Sequence, residues 1–180
     1  MQKIFYPDIY VDSVLDIPLD CLRNTNITSL ILDLDNTITE WNSNRLAPEI
    51  AAWISDTKNK GFKVCIVSNN NEKRVLGVAE VLDIPCVCRA GKPLARAFRR
   101  ALAKLGATPH ETAMVGDQIF TDILGGNLMG MITILVSPIN KREFMGTRIM
   151  RQVEKLVLTR LPTRMEKDRP YPPSGPGKPG

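Results

Sequence analysis

Five short apolar segments alternate with segments of helical apolar spacing between residues 29 and 136. The first of them, Leu30-Ile31-Leu32, is apolar almost throughout, which is typical of a strand that is covered on both faces. Strands and helices that alternate with short connections predict an α/β fold, in which a parallel five-stranded sheet lies between two layers of helices. This is a three-layer, Rossmann-like architecture. The predicted strands are 29–34, 62–67, 85–88, 112–115 and 131–136.

Proline, glycine and asparagine delimit the predicted helices. Pro48 suits the first turn of a helix that Gly61 ends, and an Asn in the segment 69–71 can cap the next helix. A third helix ends at Gly106, and a fourth runs from Ile119 to about residue 127. Each helix therefore fits between two predicted strands.

Composition and cysteine pattern indicate an ordinary soluble protein. Apolar residues make up 43% of the chain and charged residues 24%, and no apolar run approaches the ~20 residues that span a bilayer. The first residues lack the basic-then-apolar order of a secretory signal, so we expect a cytoplasmic location. The four cysteines form neither C-x-x-C nor C-x5-R, and structural roles are expected for them. A single histidine, His110, excludes mechanisms that need two.

Basic charge is concentrated at the end of the chain, where residues 141–180 hold ten Lys and Arg against four Asp and Glu. Residues 141–165 are predicted to form a basic amphipathic helix, which either packs on the sheet or lies peripherally on an anionic membrane surface at its inner face. Residues 166–180 are rich in Pro and Gly and are expected to be disordered. Before these segments, an α/β domain is expected at 28–140 and a lead-in packed on the sheet edge at 1–27.

Polar side chains follow four of the predicted strands, and ligands of parallel α/β sheets bind beyond the carboxyl ends of strands. In the sequence they are Asp33, Asp35, Thr37, Ser68, Asn69, Lys92, Asp117 and Asp122. Asp33 and Asp35 project to the same side of their strand, and two close carboxylates raise each other's pKa unless a cation offsets them. Taken singly, each residue also fits an ordinary role in a turn, a helix cap or a solvated surface.

Lys92 is harder to explain as a solvated cation. It precedes Pro93 at a predicted helix N-terminus, where the helix dipole disfavours positive charge. A nearby carboxylate or phosphate would offset that cost. A Walker phosphate loop is excluded, because Cys86 stands where its first glycine would be. Together the strand-end groups supply a nucleophile, an acid/base, ligands for phosphate oxygens and carboxylates for Mg²⁺, which predicts phosphoryl transfer.

The motifs resemble those of the haloacid dehalogenase (HAD) superfamily. They are Asp33-Leu34-Asp35-Asn36-Thr37, Ser68, Lys92 and Gly116-Asp117-Gln118-x-x-Thr121-Asp122. With Ser68-Asn69-Asn70-Asn71, Gly91-Lys92-Pro93 and Gly125-Gly126, the pattern is similar to class IIIA YqeG-type phosphatases, which are relatives of phosphatidylglycerophosphate phosphatases. The resemblance covers roughly residues 5–160.

This resemblance implies a role for each motif residue. Asp33 would attack phosphorus and form an aspartyl-phosphate, and Asp35 would protonate the leaving alcohol and then activate water. Ser68 and Lys92 would hold the transferring oxygens. Mg²⁺ would be bound by Asp33, the backbone carbonyl of Asp35, and Asp117. The residues implied to bind phosphate or to support the site are Thr37, Asn69 and Asp122, the last either through a metal-bound water or by orienting Lys92.

Short spacings between the motifs predict an enzyme without a cap domain. Only 34 residues separate Asp33 from Ser68, and 23 separate Ser68 from Lys92. Caps of HAD-like enzymes are inserted in these intervals, and here they have room for about one helix each, with a strand in the second. The site should be open, covered at most by residues 38–47, which we call the flap loop. An open site suits bulky, polymeric or membrane-borne phosphomonoesters.

The sequence therefore predicts a Mg²⁺-dependent phosphomonoester hydrolase, with phosphatidylglycerophosphate as one candidate substrate. A polynucleotide end or a small metabolite is an alternative substrate, although no basic groove studded with aromatic residues predicts nucleic-acid binding. A weakly active assembly or binding protein is a further alternative. A dehalogenase is disfavoured by the second aspartate and the following threonine. No particular oligomeric state is predicted.

Overall fold

The computed structural model describes residues 3–41, 43 and 45–139. Six parallel strands form one sheet in the order β1-β6-β5-β2-β3-β4. The strands are β1 Ile9–Val11, β2 Ser29–Leu32, β3 Lys63–Val67, β4 Cys86–Val87, β5 Thr112–Gly116 and β6 Ile132–Val136. The α-helices are α1 Leu19–Asn24, α2 Pro48–Asn59, α3 Glu72–Leu82, α4 Ala95–Leu105 and α5 Leu124–Met129. The expected segments 141–165 and 166–180 lie outside the described residues.

Strand β2 lies at the centre of the sheet, because it pairs with both β3 and β5. Ser29 is level with Lys63 on one side and with Thr112 on the other. The hydrogen bond from the amide of Asp33 to the carbonyl of Val115, at 2.9 Å, extends the β2–β5 pairing by one residue. The carboxyl ends of the three central strands therefore meet at one edge.

Helices cover both faces of the sheet, as the three-layer prediction requires. On one face, Leu30 and Leu32 belong to an apolar core with residues of α1, α2 and α3. On the other face, Ile31 and Met114 pack with residues of α4. Successive residues of a strand point to opposite faces, so burial of every β2 residue requires both layers.

The prediction of five strands was one too few. Ile9–Val11 pairs in parallel with β6 at the sheet edge, which is where the lead-in was expected to pack. The Asp8 carboxylate accepts hydrogen bonds from the amide of Thr133 at 2.8 Å and from its hydroxyl at 3.1 Å. A strand of three residues is too short to give a periodic apolar pattern, and this one is held by contacts more than a hundred residues away in sequence.

The predicted helix from Ile119 begins as a π-helical turn. Residues Ile119–Ile123 form this wider turn, and α5 follows it without a break. Two glycines of α5 allow close packing: a Cβ on Gly125 would lie 2.4 Å from the Phe98 ring, and one on Gly126 would lie 2.6 Å from Thr133. The π-helical turn buries Asp122, which bears on the site below.

Over the described residues between Asp33 and Lys92, the chain forms two helices, two strands and the flap loop, and it has no inserted cap domain. The flap loop begins in a tight turn, in which the amide of Asn36 donates to the carbonyl of Thr39 at 2.7 Å. Thr39 bridges to Asp35 and to Leu46. Within the described parts of the chain, no helix has the length and apolar character needed to cross a membrane.

Candidate active site

Lys92 bridges two buried carboxylates at the carboxyl edge of the sheet. Its Nζ lies 2.5 Å from Oδ1 of Asp33 and 2.6 Å from Oδ1 of Asp122. All three residues are buried, with exposed fractions of 7% or less. A lysine is rarely buried unless it is paired, and these two ion pairs supply the negative charge that its position demands.

Asn69 positions the backbone of Lys92. Its side-chain oxygen accepts from the amide of Lys92 at 2.8 Å, and its Nδ2 donates to the Lys92 carbonyl at 3.3 Å. The following Lys92–Pro93 peptide bond is cis. Asn69, which was expected to bind phosphate or support the site, thus contacts the backbone of Lys92.

Asp122 is held by the turn that follows β5. Its Oδ2 accepts a hydrogen bond from the amide of Gln118 at 3.2 Å, while its Oδ1 contacts Lys92. A Cβ on Gly116 would lie 2.2 Å from Oδ2 of Asp122, so no larger residue fits there without movement. π-Helical turns occur frequently at functional sites, and this one directs a carboxylate inward.

Three carboxylates form a compact acidic group. Oxygens of Asp33, Asp117 and Asp122 all lie within 4.8 Å of one another, and the three residues are buried. Carboxylate oxygens are ligands that hard divalent cations prefer, and Mg²⁺ commonly uses one or two of them together with phosphate oxygens and water. The donor set therefore fits Mg²⁺. The Asp35 carboxylate is not one of the three.

Burial dominates the electrostatics of this group. It raises the pKa of the Asp33 carboxyl from 3.8 to about 7, against the lowering effect of the Lys92 ammonium; Asp122 raises it further and Asp35 contributes least. Burial by itself lowers the pKa of Lys92, but Asp122 and Asp33 outweigh it and raise that pKa above its usual range. Lys92 thus remains a cation, and Asp33 takes up a proton more readily than an exposed aspartate does.

Asp35 has a different set of partners. One carboxylate oxygen forms an ion pair with Nη1 of Arg74, and the other accepts a hydrogen bond from Nδ2 of Asn70 at 3.0 Å. Arg74 was not among the site residues predicted from the sequence. A signal was present, because Arg74 lies four residues before Val78, on the buried side of α3. A charged residue on the apolar face of a helix indicates a buried partner.

Ser68 and Thr37 are both buried. The Ser68 hydroxyl accepts from the amide of Asn70 at 3.1 Å, which fixes the turn that leads into α3. The Thr37 hydroxyl finds no hydrogen-bond partner within the part of the chain that the structure describes. Of the residues expected from the sequence, the structure thus gathers Asp33, Lys92, Asp117 and Asp122 most closely, and pairs Asp35 separately.

Comparisons with known proteins agree with this architecture. A family model described as haloacid dehalogenase-like hydrolase matches residues 24–130. The probable phosphatase YqeG of Bacillus subtilis is 40% identical over 161 residues, which cover 89% of this chain and 94% of that protein. The chloroplastic/mitochondrial phosphatidylglycerophosphate phosphatase 1 of Arabidopsis thaliana is 26% identical and covers 92% of this chain. The chain spans only 50% of that plant protein's length.

Among solved structures, the cobalt-bound deoxy-D-mannose-octulosonate 8-phosphate phosphatase of Haemophilus influenzae superposes with a TM-score of 0.52. The identity is 17%, over 64% of this chain and 70% of that one. At that identity the likeness concerns the fold alone. The fold and the family match define a hydrolase.

The chain belongs to the haloacid dehalogenase-like hydrolase family. It is an enzyme, a HAD-type phosphatase, and the resemblance to YqeG-type phosphatases that its motifs indicate is confirmed. Phosphate-ester hydrolysis is therefore the class of reaction assigned to this chain.

Proposed function

We propose that the protein is a Mg²⁺-dependent phosphomonoester hydrolase that works through an aspartyl-phosphate on Asp33. The observation that carries this proposal is the bridging of Asp33 and Asp122 by Lys92, beside the carboxylate of Asp117. A buried lysine next to a buried carboxylate is suited to draw a phosphoryl group onto that carboxylate.

In the first step, an oxygen of Asp33 attacks phosphorus and the bond to the leaving oxygen breaks. The leaving oxygen takes the electron pair of that bond and a proton from the carboxyl group of Asp35. In the second step, water attacks the phosphorus of the aspartyl-phosphate and gives a proton to Asp35. The bond between phosphorus and Asp33 then breaks, and inorganic phosphate leaves.

Ser68 and Lys92 are proposed to contact the oxygens of the transferring group. The Lys92 ammonium supplies charge, and its contact with Asp122 holds it beside the Asp33 carboxylate. Thr37 is proposed to donate its buried hydroxyl to a phosphate oxygen, and Asn69 to hold the Lys92 backbone. These contacts favour a trigonal phosphoryl group carrying negative charge.

Asp33, Asp117 and the backbone carbonyl of Asp35 are the proposed Mg²⁺ ligands, with Asp122 nearby. The chemistry that Mg²⁺ supplies when bound is neutralisation of charge on the phosphoryl oxygens. The protein's part is to keep the carboxylates close together although they repel one another.

Phosphate release from p-nitrophenyl phosphate, with and without added Mg²⁺, tests this proposal. We expect activity only with the metal and a loss of about a thousandfold or more in Asp33→Asn. Circular dichroism should show that this variant remains folded. Retention of activity by folded Asp33→Asn would exclude Asp33 as the nucleophile.

For the substrate, we propose a phosphate ester on a bulky group, with phosphatidylglycerophosphate at an anionic, cytoplasm-facing membrane surface as the leading candidate. The absence of an inserted cap domain from the described residues between Asp33 and Lys92, the activity in the name of the Arabidopsis relative and the basic residues of 141–165 support it. Vesicles containing phosphatidylglycerophosphate should yield phosphate faster than an equal concentration of glycerol phosphate. Equal rates, with no co-sedimentation on anionic vesicles, would favour a soluble ester.

A further inference from the structure

Arg74 is a buried cation that the mechanism above does not use. It lies in the first turn of α3, three residues after Asn71, whose side chain caps the helix by accepting from the Arg74 amide at 3.0 Å. Its exposed fraction is only 7%. Burial of a guanidinium is costly unless its donors are satisfied, so its contacts indicate what it does.

The guanidinium joins two parts of the site. Nη1 is paired with Oδ1 of Asp35, as described above. Nη2 donates to the Thr39 hydroxyl at 3.2 Å, to the Glu40 carbonyl at 3.3 Å and to the Ser43 carbonyl at 2.8 Å. One planar group therefore contacts both the candidate acid/base and three positions of the flap loop.

These contacts fix the direction of the Asp35 side chain. Arg74 holds one carboxylate oxygen and Asn70 holds the other, so rotation of the carboxylate breaks at least one contact. Both donors come from one short stretch that runs from the end of β3 into α3. A general acid must lie within hydrogen-bond reach of the leaving oxygen, and a displacement of about 1 Å costs up to a hundredfold in rate.

We propose that Arg74 is a positioning residue, which orients the carboxyl group of Asp35 toward the leaving oxygen and holds the flap loop at a fixed position beside Asp35. This inference rests on the proposed phosphatase mechanism, since it concerns the residue through which Arg74 acts. The same guanidinium contacts both Asp35 and the flap loop. A bulky substrate that displaces the flap loop therefore also changes the contacts that hold the Asp35 carboxylate. Arg74 itself contacts neither phosphorus nor metal in this assignment.

The dependence of rate on the leaving group separates positioning from a merely structural ion pair. The leaving oxyanion of p-nitrophenyl phosphate is stable without a proton, whereas that of glycerol phosphate requires one. Misalignment of a general acid therefore lowers kcat/KM for glycerol phosphate more than for p-nitrophenyl phosphate. General destabilisation lowers both by the same factor, because it reduces the amount of active enzyme.

The test compares Arg74→Lys with wild type at saturating Mg²⁺ on the two esters. Lysine keeps the charge but cannot reach Asp35 and the flap loop together in one plane. We expect the ratio of kcat/KM for the alkyl ester to that for the aryl ester to fall by about tenfold or more. Arg23→Lys is the matched control, since Arg23 stacks on Phe62 at 5.3 Å and has no contact with the site residues named here. The ratio of kcat/KM for the alkyl ester to that for the aryl ester should be the same in Arg23→Lys as in wild type.

A double-mutant cycle with Asp35→Asn completes the test. If Arg74 acts through Asp35, then Arg74→Lys should change the ratio little once Asp35 is replaced. If Arg74→Lys does not fold, Asn70→Ala removes the donor to the other Asp35 oxygen, together with the acceptor of the Asn71 amide, and should lower the ratio in the same direction. An unchanged ratio in a folded variant, with wild type active and Asp33→Asn inactive, overturns the role of Arg74 alone. Activity in Asp33→Asn, or none in wild type, overturns the proposed function and this role with it.

Discussion

Gly116 and Asp122 approach so closely that a Cβ on the glycine would lie 2.2 Å from a carboxylate oxygen of the aspartate. Gly116 ends β5, and Asp122 belongs to the π-helical turn that follows. The absence of a side chain at one position therefore determines where the carboxylate at the other can lie. Because that carboxylate holds Lys92, the effect extends to the candidate nucleophile.

Replacement of Gly116 by alanine should impair catalysis more than folding. The added methyl group would displace the Asp122 carboxylate, so Lys92 would lose one of its two partners and its position over Asp33. We expect kcat to fall by about tenfold to a hundredfold, measured with p-nitrophenyl phosphate at saturating Mg²⁺. Gly77→Ala is a suitable control, because nothing lies within 4 Å of a Cβ there. Wild-type activity in Gly116→Ala would contradict the steric argument.

The affinity for Mg²⁺ should increase with pH. Burial raises the pKa of Asp33 to about 7, so a proton competes with the cation for this carboxylate below that pH. The dissociation constant for Mg²⁺ should therefore fall by about tenfold between pH 6 and pH 8. Calorimetric titration at several pH values measures it, and Asp33→Asn should bind more weakly with a flatter pH dependence. Equal affinity at pH 6 and pH 8 in wild type would count against Asp33 as a ligand.

Gly125→Ala should destabilise the fold. A Cβ at this position would lie 2.4 Å from the ring of Phe98, which is fully buried between α4 and α5. Overpacking of this kind costs about 1–3 kcal/mol in the free energy of unfolding. Urea denaturation provides the measurement. Gly77→Ala, in the exposed middle of α3, should change stability in the opposite direction, by about 0.5–1 kcal/mol; a stability gain in both variants would argue against the close packing at Gly125.

Thiol labelling should distinguish the buried from the exposed cysteines. Burial raises the pKa of Cys65 to about 12 and that of Cys88 to about 11, with Cys86 contributing in both cases. The reactive thiolate is therefore scarce at pH 8, and Cys65 is also inaccessible. Alkylation of the native protein followed by peptide mass mapping should label exposed Cys21 well before Cys65. Comparable rates for the two would indicate that the β3 region opens readily.

The central sheet was predictable from the sequence because its strands are apolar and because glycine, proline and asparagine mark the ends of the helices between them. Five strands lie within two residues of their expected bounds, and Pro48 and Gly106 mark helix ends as anticipated. Strand β1 was not predicted, because three residues are too few to show a periodic apolar pattern and because its position depends on pairing with β6. The π-helical turn was not predicted, because the spacing of apolar residues does not distinguish such a turn from an α-helix.

The motif residues of the candidate site were predictable from the sequence, whereas their side-chain partners were not. Asp33, Lys92, Asp117 and Asp122 were expected together and lie together. The pairing of Asp35 with Arg74 was not expected, because proximity of residues 39 positions apart depends on how β3 and α3 pack beside β2. Side-chain partners of this kind follow from tertiary structure, which local patterns do not encode.

The central position of β2 has a consequence for the order of folding. Its pairing with β5 joins Ser29 to Thr112, 83 residues apart in sequence, whereas helices such as α3 form from local contacts. Closing so long a loop is entropically slow, so this pairing should form late. Asp33 and Asp117 come together only when it does. During synthesis, the acidic group cannot assemble until the chain beyond β5 has emerged, and an early folding intermediate with most of its helices in place would have no site for a metal or a phosphate.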